Sequence, residues 1–415
     1  MKIINIFLYT ILVLNVSLLK GSTPDPLTLQ DALKEALRAN LDLKVFYQNQ
    51  LMAQSDITTA GLRNNPQLNL IGDVLPAPGE RFNPFNKSFG ASLSFPLDIA
   101  NHRARRIDIA NEEFSAVNFQ FMDQVRQTVQ KVKTAYYAAL AKREKLELAN
   151  INLSSLDSLV KLNRIRAQQL AIPEIDVTRS EFVREQFRSE VQSEETDYLA
   201  SLIDLQVLMG RSSTTDSIAL ASDIEDLTPP DTISIENALS YAIEHRPDFQ
   251  AIIKQTDVEK ANQRLQQSLN SIELSISGDY SQQQSTNFMG ISMSLNLPVF
   301  NRNQGEIEKS IYRIEQNELS IQSLKVSMRA EIQKAHEDMI NLWKMVEKQK
   351  EILIPQAEQI LKTIEYSYRS GNTTMLDYLE AQRSFTETRI NYIDTLYRYH
   401  LSQEAFETAI SKENF

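Results

Sequence analysis

The sequence contains the same order of motifs twice, and this repeat restricts the chain to folds built from two similar halves. The pattern that begins at Leu27 returns at Ile233, with Asp42 and Asp248 at equivalent positions further on. Self-similarity of this kind indicates that each copy is one structural unit. A Ser/Thr/Asp/Pro-rich segment separates the two copies. We therefore predict a first repeat over 22–210, a linker over 211–232, a second repeat over 233–411 and a tail over 412–415.

Each half is predicted to be mainly α with a small β part. Only 10 of the 415 residues are glycine, and good helix formers dominate long stretches. We expect each half to begin with a helix of about 38 residues, over 27–64 and 233–270. Two short strands, a helix of roughly 70 residues and a helix of about 35 residues follow in each half.

An apolar heptad repeat marks the long helix of the second half. Its members recur at alternating three- and four-residue steps: Ile307, Ile311, Ile314, Ile321, Met328, Ile332, Ala335, Met339, Leu342, Val346, Leu353 and Ile360. This spacing predicts supercoiling against neighbouring antiparallel helices. Such a helix is on the order of 100 Å long, several times the thickness of a membrane. The two shorter helices of each half match its length, so we expect them to stack end to end along it.

Alternating polar and apolar residues predict two strands in each half. The alternation covers 68–70 and 89–95 in the first half, and 272–280 and 289–297 in the second. A soluble hairpin packed on a core and a membrane-spanning hairpin both give this pattern. Four strands are too few to close a barrel of useful bore, so a membrane-spanning sheet requires several copies to share one ring.

The N-terminal residues 1–21 are predicted to be a secretory signal peptide. Lys2 precedes an apolar run, and the small residues Gly21 and Ser22 follow it. An uncleaved membrane anchor is the alternative, although polar residues interrupt the run. The sequence has no cysteine, which excludes disulfides and a lipid-modified cysteine. Past residue 20 no apolar run is long enough for a helical span, so membrane insertion is expected only through a closed β-barrel.

The sequence carries no motif for catalysis, metal binding or nucleic acid. Neither GxSxG nor HExxH occurs, which argues against a hydrolase. The histidines at 102, 245, 336 and 400 are widely separated, so no metal site and no cofactor are predicted. The net charge of −11 argues against a nucleic-acid partner.

Together these motifs resemble the TolC-like outer-membrane efflux proteins, and within them the CzcC-like heavy-metal branch. Residues 297–305 are similar to that branch's strand-to-helix signature. The turn between the last two predicted helices of the second half is similar to the family's pattern at its second periplasmic turn. The matching residues are Pro355, Ala357, Tyr368, Gly371, Asp377, Leu379, Ala381 and Gln382. The resemblance covers essentially the whole mature chain.

The resemblance implies a homotrimer in the outer membrane. Three pairs of hairpins would form a twelve-stranded barrel, and the helices would continue as a periplasmic α-barrel. An inner-membrane pump of the RND type and a periplasmic adaptor are the implied partners. Divalent heavy-metal cations or drugs are the implied cargo. A duct for type I protein or peptide secretion and an exported coiled-coil scaffold without a pore remain the alternatives.

The resemblance also implies a gate at the periplasmic tip, where carboxylates follow the turn glycine. The matching positions are Asp377 and Glu380, with Tyr368 ahead of Gly371, and Asp176 is the equivalent of Asp377 in the first repeat. Two carboxylates from each of three copies would attract cations in a narrow bore. The alternative is that Asp377 and Glu380 are solvated residues favoured by the dipole of the last helix.

The two tips are the expected docking surface for the adaptor. Arg166 and Arg369 lie in the last turns before the tips and are candidates for that contact, with solvated helix-end cations as the alternative. The sequence departs from the family in two places. Thr373 stands where some members carry a basic latch residue, and residues 170–173 hold no turn glycine. Both departures argue against an ionic latch of that kind.

Overall fold

A computed structural model describes residues 26–73, 88–211, 218–230, 233–283 and 286–412. The predicted signal peptide, residues 22–25 of the first repeat, residues 74–87 between its two strands, residues 413–415 of the tail and parts of the linker lie outside the described residues. The helices are α1 (Leu29–Ala39), α2 (Leu41–Ala60), α3 (His102–Gln168), α4 (Glu174–Leu208), α5 (Ile235–His245), α6 (Pro247–Ser268), α7 (Gln304–Lys348), α8 (Ile354–Arg369) and α9 (Met375–Ile410). The strands are β1 (Gln67–Asp73), β2 (Ser88–Leu97), β3 (Glu273–Gln283) and β4 (Thr286–Asn296).

The two halves repeat one order of elements, which confirms the predicted fold class. Two short helices lead into a hairpin, and a long helix and a further helix follow. The short helices stack along the long one, as expected. Gln50 of α2 donates to Asn118 near the start of α3, whereas Lys142 and Arg164 further along α3 pair with acids of α4.

The prediction of one continuous helix at the start of each half is wrong. Asn40 ends α1, and its side chain accepts a hydrogen bond from the Leu43 N–H at 3.0 Å, which caps α2. In the second half Arg246 adopts an extended conformation (φ −69°, ψ 120°) between α5 and α6. Pro247 explains this break, because a proline disfavours the helical conformation in the residue before it.

The long helices of the two halves differ in continuity. α3 runs for 67 residues without a break. In the second half α7 ends after 45 residues, and a π-helical turn (Gln349–Leu353) joins it to α8. Pro355 is the second residue of α8 and lacks the N–H that would bond back into the helix. The wider π-turn accommodates that missing hydrogen bond.

The four strands form one antiparallel sheet in the order β1-β2-β3-β4. The register places the apolar residues of neighbouring strands opposite one another, as in the pairs Leu93 with Leu68 and Ile276 with Met293. This apolar face is solvent-exposed in the single chain, and Met289 is 87% exposed. The other face is mainly serine, glycine and asparagine.

The main core lies where the two long helices pass α9 and the short helices α1 and α5. Its largest fully buried side chains include Tyr136, Leu140, Met328, Ile332 and Tyr399. The heptad residues from Met328 to Val346 are buried there, whereas Ile360 is 58% exposed. A second, smaller cluster lies near the tips and consists of Leu156, Leu159, Tyr368, Met375 and Tyr378.

The described linker residues 218–230 are held to this core by the buried side chains of Leu220 and Ile224 and by main-chain carbonyl groups. Arg143 of α3 donates to the carbonyl oxygens of Leu220 and Ser222 at 3.0 and 2.9 Å. Tyr399 of α9 donates to the Thr228 carbonyl at 2.5 Å. The linker therefore contacts both halves.

Within the described residues, none of the helices combines the length and the apolar character needed to cross a bilayer.

Candidate gate at the hairpin tips

The tip between α8 and α9 is a glycine-closed turn. Gly371 has a φ of +78°, and its N–H donates to the Tyr368 carbonyl at 3.0 Å. The Asn372 N–H donates to the Ser367 carbonyl at 2.9 Å. This arrangement satisfies carbonyls that the end of α8 leaves without helical partners. Glycine suits the position because a positive φ costs it little.

The tip between α3 and α4 makes a similar turn without glycine. Leu170 has a φ of +59°, and its side chain is 93% exposed. The N–H of Leu170 donates to the Ala167 carbonyl, and the N–H of Ala171 donates to the Arg166 carbonyl at 2.8 Å. The missing glycine noted in the sequence therefore changes the residue at the turn but not the path of the backbone.

Asp377 caps the helix on which it lies. Its carboxylate accepts hydrogen bonds from the Thr374 N–H at 3.0 Å, the Thr374 hydroxyl at 2.6 Å and the Thr373 hydroxyl at 2.8 Å. The Asp377 N–H returns a bond to the Thr374 hydroxyl, which completes a capping box. These hydrogen bonds from Thr374 and Thr373 lower the pKa of Asp377. Asp377 is thus a fixed negative charge at the tip.

The other two acids lie in similar exposed or half-exposed positions. Glu380 is one turn further along α9, is exposed, and makes no hydrogen bond or ion pair with other described residues. Asp176 lies in the first turn of α4, 3.9 Å from the guanidinium of Arg179. No hydrogen bond links Asp176, Asp377 and Glu380 to one another within the described chain. A ring of these carboxylates would therefore require several copies of the chain.

Tyr368 is inside the tip cluster rather than on an open surface. The side chain is 5% exposed, and its hydroxyl donates to Asn163 Oδ1 at 2.6 Å. Its ring stacks on Tyr378 with centroids 5.7 Å apart. Burial raises the pKa of Tyr368. The residue therefore joins α8 to α3 and α9.

The two candidate docking arginines make different contacts. Arg166 crosses from α3 to the end of α8 and donates to the carbonyls of Tyr368 and Arg369 at 3.1 and 2.9 Å. Its guanidinium carbon lies 5.3 Å from the centre of the Tyr368 ring. Arg369 pairs with Glu365 on its own helix, at 2.7 Å. Of these two arginines, Arg369 is exposed and Arg166 is partly buried.

Sequence reasoning missed Asn163, which is fully buried beneath the tip. Its Nδ2 lies 3.9 Å from the Met375 sulfur, and its Oδ1 accepts the Tyr368 hydroxyl. Asn163 continues the apolar stripe of Leu156, Leu159 and Val160 at helical spacing. A polar residue in such a stripe was the available signal. Among the described residues no group of three or more His, Asp or Glu side chains is arranged to hold a metal ion.

Several solved structures share the fold of this chain. A membrane protein from Pseudomonas aeruginosa is 19% identical, with a TM-score of 0.78 and 92% of each chain covered. The CmeC outer membrane channel of Campylobacter jejuni is 15% identical, with a TM-score of 0.76, and the match covers 92% of this chain and 85% of CmeC. The fold is that of outer-membrane channels.

The sequence places the chain within this class. The profile of the family described as "Outer membrane efflux protein" matches residues 32–211 and 238–411. The chain belongs to the outer membrane efflux protein family, which confirms the resemblance found in the sequence. It is an outer-membrane efflux channel with a periplasmic helical extension, and not an enzyme. The cobalt-zinc-cadmium resistance protein CzcC of Cupriavidus metallidurans is 23% identical over 379 residues, which cover 89% of this chain and 87% of CzcC.

Proposed function

We propose that three copies of this chain close into one conduit that passes cations, above all divalent heavy-metal ions, out of the periplasm. An inner-membrane pump of the RND type and a periplasmic adaptor would supply the cargo, since channels of this family are typically trimeric partners of tripartite efflux systems. The proposal rests on one observation. The sheet and the rows of helices in the single chain each end in an outer element that packs on one side only.

The edges lie on matching elements throughout the molecule. β1 and β4 each have a strand neighbour on one side only. Among the helices, α2 and α4 pack on α3, and on the other side of the chain α7 packs on α6 and α9 while α8 packs on α9. One edge therefore consists of β1, α2 and α4, and the other of β4, α7 and α8. A rotation that brings the first edge against the second closes sheet and helices together.

Large apolar side chains are exposed on both edges. Val45 and Phe182 on α2 and α4 are both 63% exposed. Leu319 and Val326 on α7 are 65% and 72% exposed, and Tyr366 on α8 is 74% exposed. Apolar surface on this scale marks an interface that another protein surface covers. We assign it to the neighbouring copies.

The charges of the chain favour cations as cargo. The polar face of the sheet carries Asp73, Glu273 and Asp279, and none of the four strands contains lysine or arginine. At the opposite end of the molecule the tips carry Asp176, Asp377 and Glu380. Carboxylates that line a bore raise the local concentration of cations and exclude anions. The relative CzcC is a cobalt-zinc-cadmium resistance protein. These metals are cations, which agrees with the acidic charge of the sheet and the tips.

Planar-bilayer recordings test the proposal. We expect the purified protein to require detergent, to migrate as a trimer and to give a cation-selective reversal potential. The Asp377→Asn/Glu380→Gln double variant should lose part of that selectivity and part of the block by divalent cations. Glu195→Gln, an exposed carboxylate on α4 away from the tips, is the matched control. A detergent-independent monomer without conductance would favour the pore-free scaffold, and unchanged selectivity in the double variant would remove both acids from the gate.

A further inference from the structure

The four connections between the sheet and the helices lie in one layer of the molecule, which we call the junction. Each connection joins a helix to a strand, over 61–66, 98–101, 269–272 and 297–303. His102 at the start of α3 contacts the end of α6, with 3.0 Å between its Nε2 and the Ser268 carbonyl oxygen. Because the chain is an outer-membrane channel with a periplasmic helical extension, the junction lies where the membrane meets the periplasm.

The apolar face of the sheet continues into the junction. Leu97 and Leu297, at the ends of β2 and β4, are exposed. Ile99 and Val299 follow them in the same tight turn, since the N–H of each donates to the carbonyl two residues earlier. Phe300 comes next and is 94% exposed. Large apolar side chains in a continuous exposed patch mark a contact with a membrane or a partner.

Arginines replace apolar residues on the helical side of the junction. The four strands contain no lysine or arginine, whereas the segments 61–66, 98–106, 264–272 and 297–303 contain six arginines: Arg63, Arg103, Arg105, Arg106, Arg264 and Arg302. One acid, Asp98, lies among them. Its carboxylate is occupied, since it accepts the N–H groups of His102 and Arg103 at 2.7 Å each. The junction is therefore a basic zone in a chain whose net charge is −11.

Most of these guanidinium groups have no carboxylate partner within the described chain. The side chains of Arg63 and Arg302 are exposed and make no hydrogen bond or ion pair with other described residues. Arg103 donates to a main-chain carbonyl at the end of α2, and Arg105 lies 4.0 Å from Asp108. The junction is thus open to an external anion. A guanidinium pairs best with a phosphate or carboxylate group, because its fork reaches two oxygens at once.

A neighbouring copy of the chain does not account for the whole junction. Arg103, Arg105 and Arg106 lie on α3 and Arg264 lies on α6, and these two helices pack on each other inside the chain. The helices that face a neighbouring copy at this level are α2 and α7. An occupant that reaches all of these arginines has to surround the chain at the level of the junction. The membrane surface does so.

Anionic phospholipid fits both parts of the junction. Its phosphate groups match the guanidinium groups, and its acyl chains match the exposed apolar side chains directly beside them. The sequence contains no cysteine, so a lipid attached to cysteine does not hold the chain in the bilayer. Its depth in the membrane then depends on contacts that the fold itself makes.

We propose that the junction binds anionic phospholipids of the periplasmic leaflet, with the arginines on the phosphates and with Ile99, Val299 and Phe300 among the adjoining acyl chains. The inference goes beyond the proposed conduit, because it depends on the outer-membrane location and not on the cargo or the gate. It also gives a role to residues 297–305, which the gate does not use.

Spin-labelled lipids test the arginines. The full-length protein is reconstituted into phosphatidylcholine vesicles that contain a trace of labelled phosphatidylglycerol or labelled phosphatidylcholine, and electron paramagnetic resonance measures the immobilised fraction. We expect phosphatidylglycerol to associate roughly fivefold more strongly, the factor for one arginine beside anionic headgroups. Arg63→Gln/Arg302→Gln should lower this preference by about half.

Arg383→Gln/Arg398→Gln is the matched control. It removes the same charge from exposed positions of α9, away from the junction, and should leave the preference unchanged. An absent preference in wild type, or equal losses in the two double variants, would overturn the proposal. A lower heat stability of the trimer with an unchanged lipid preference would assign Arg63 and Arg302 to contacts between copies and would also overturn it.

Fluorescence quenching tests the apolar part independently of the arginines. The emission of Phe300→Trp is measured after subtraction of the wild-type signal, which comes from Trp343. We expect lipids brominated near the glycerol end of the acyl chains to quench it and aqueous iodide to leave it unchanged. Glu195→Trp on α4 is the control and should show the reverse. Equal quenching by iodide at both positions would overturn the proposal.

The outcomes also separate this proposal from the conduit. Channels that conduct cations but show no preference for phosphatidylglycerol refute only the lipid contact. A lipid preference in channels without cation selectivity supports the lipid contact and refutes the cation cargo.

Discussion

The two halves share an order of elements but differ in where their long helices are interrupted. In the first half α3 continues from the sheet past the main core to the tip without a break. In the second half the π-turn and Pro355 divide the equivalent helix into α7 and α8. Deviations from regular helical bonding concentrate bending at one place. Both halves therefore have the same order of elements, but of the two long helices the π-helical turn interrupts that of the second half. We expect bending to concentrate at this turn.

The largest expected effect is the difference in stability loss between a substitution in the buried part of α3 and one in the π-turn. Leu140→Ala removes a fully buried side chain and should lower the free energy of unfolding by about 2–5 kcal/mol. Leu353→Ala removes a side chain that is 39% exposed and should cost less than about 1 kcal/mol. Urea unfolding of the detergent-solubilised protein, followed by circular dichroism, measures both. Similar losses would mean that the π-turn is packed as firmly as α3.

Replacing Pro355 should make the second half more like the first. Pro355→Ala restores an N–H donor after the π-turn, so we expect local opening of 349–354 to become harder by about 1 kcal/mol. Amide hydrogen exchange of peptides over 349–369 measures this, with 148–168 of α3 in the same sample as reference. Equal exchange rates in the two regions of the wild-type protein would contradict the expectation that the helix opens more easily at the π-turn.

The two tips should respond in opposite directions to exchanging their turn residues. Gly371→Ala places a Cβ 3.8 Å from Arg166 Nη2, which is ordinary contact distance. Its expected cost of about 1 kcal/mol comes from the positive φ alone. Leu170→Gly relieves the same backbone strain in the first tip, so it should be neutral or stabilising by up to about 0.5 kcal/mol. Heat-unfolding midpoints of the two variants provide the comparison, and destabilisation by Leu170→Gly would show that its exposed side chain is in contact with another chain.

The smallest expected effect concerns the acids at the two tips. Hydrogen bonds from Thr374 and Thr373 lower the pKa of Asp377, so its contribution to stability is present above the ordinary aspartate pKa and is lost as the pH falls through the lowered value. Asp377→Asn should therefore unfold earlier than wild type at pH 7, and the difference should vanish in acid. Asp176→Asn is the control, because Pro173 offers α4 no side-chain cap. A difference for Asp377→Asn that persists in acid would contradict the capping role.

Local features of the fold could be read from the sequence, and long-range features could not. The glycine turn at 371 and the acid at N3 of the last helix act within a few residues, so their types alone indicated a helix end. The break at Pro247 was also readable from the residue order, but the apolar pattern that continues through it favoured one helix. The cap at Asn40 was missed for the same reason.

The contacts of Arg166 and Asn163 depend on distances that no local pattern encodes. Their partners are about 200 residues away in the sequence, and two of the acceptors are carbonyl groups, which every residue possesses. Sequence reasoning could place both arginines in the last turns before the tips. It could not tell that one binds across the hairpins and the other along its own helix.

The way in which the linker is held bears on how freely its composition can drift. Arg143 and Tyr399 bind main-chain oxygens of 218–230, and a main-chain oxygen is the same for all twenty amino acids. Substitutions at Ser222 or Thr228 leave these carbonyl acceptors in place, but they remove hydroxyls that accept hydrogen bonds from Tyr136 and Gln403. Leu220 is buried in the main core and needs an apolar replacement. We expect related chains to preserve the donors, the route of this segment and its buried apolar residues Leu220 and Ile224, while its exposed residues change.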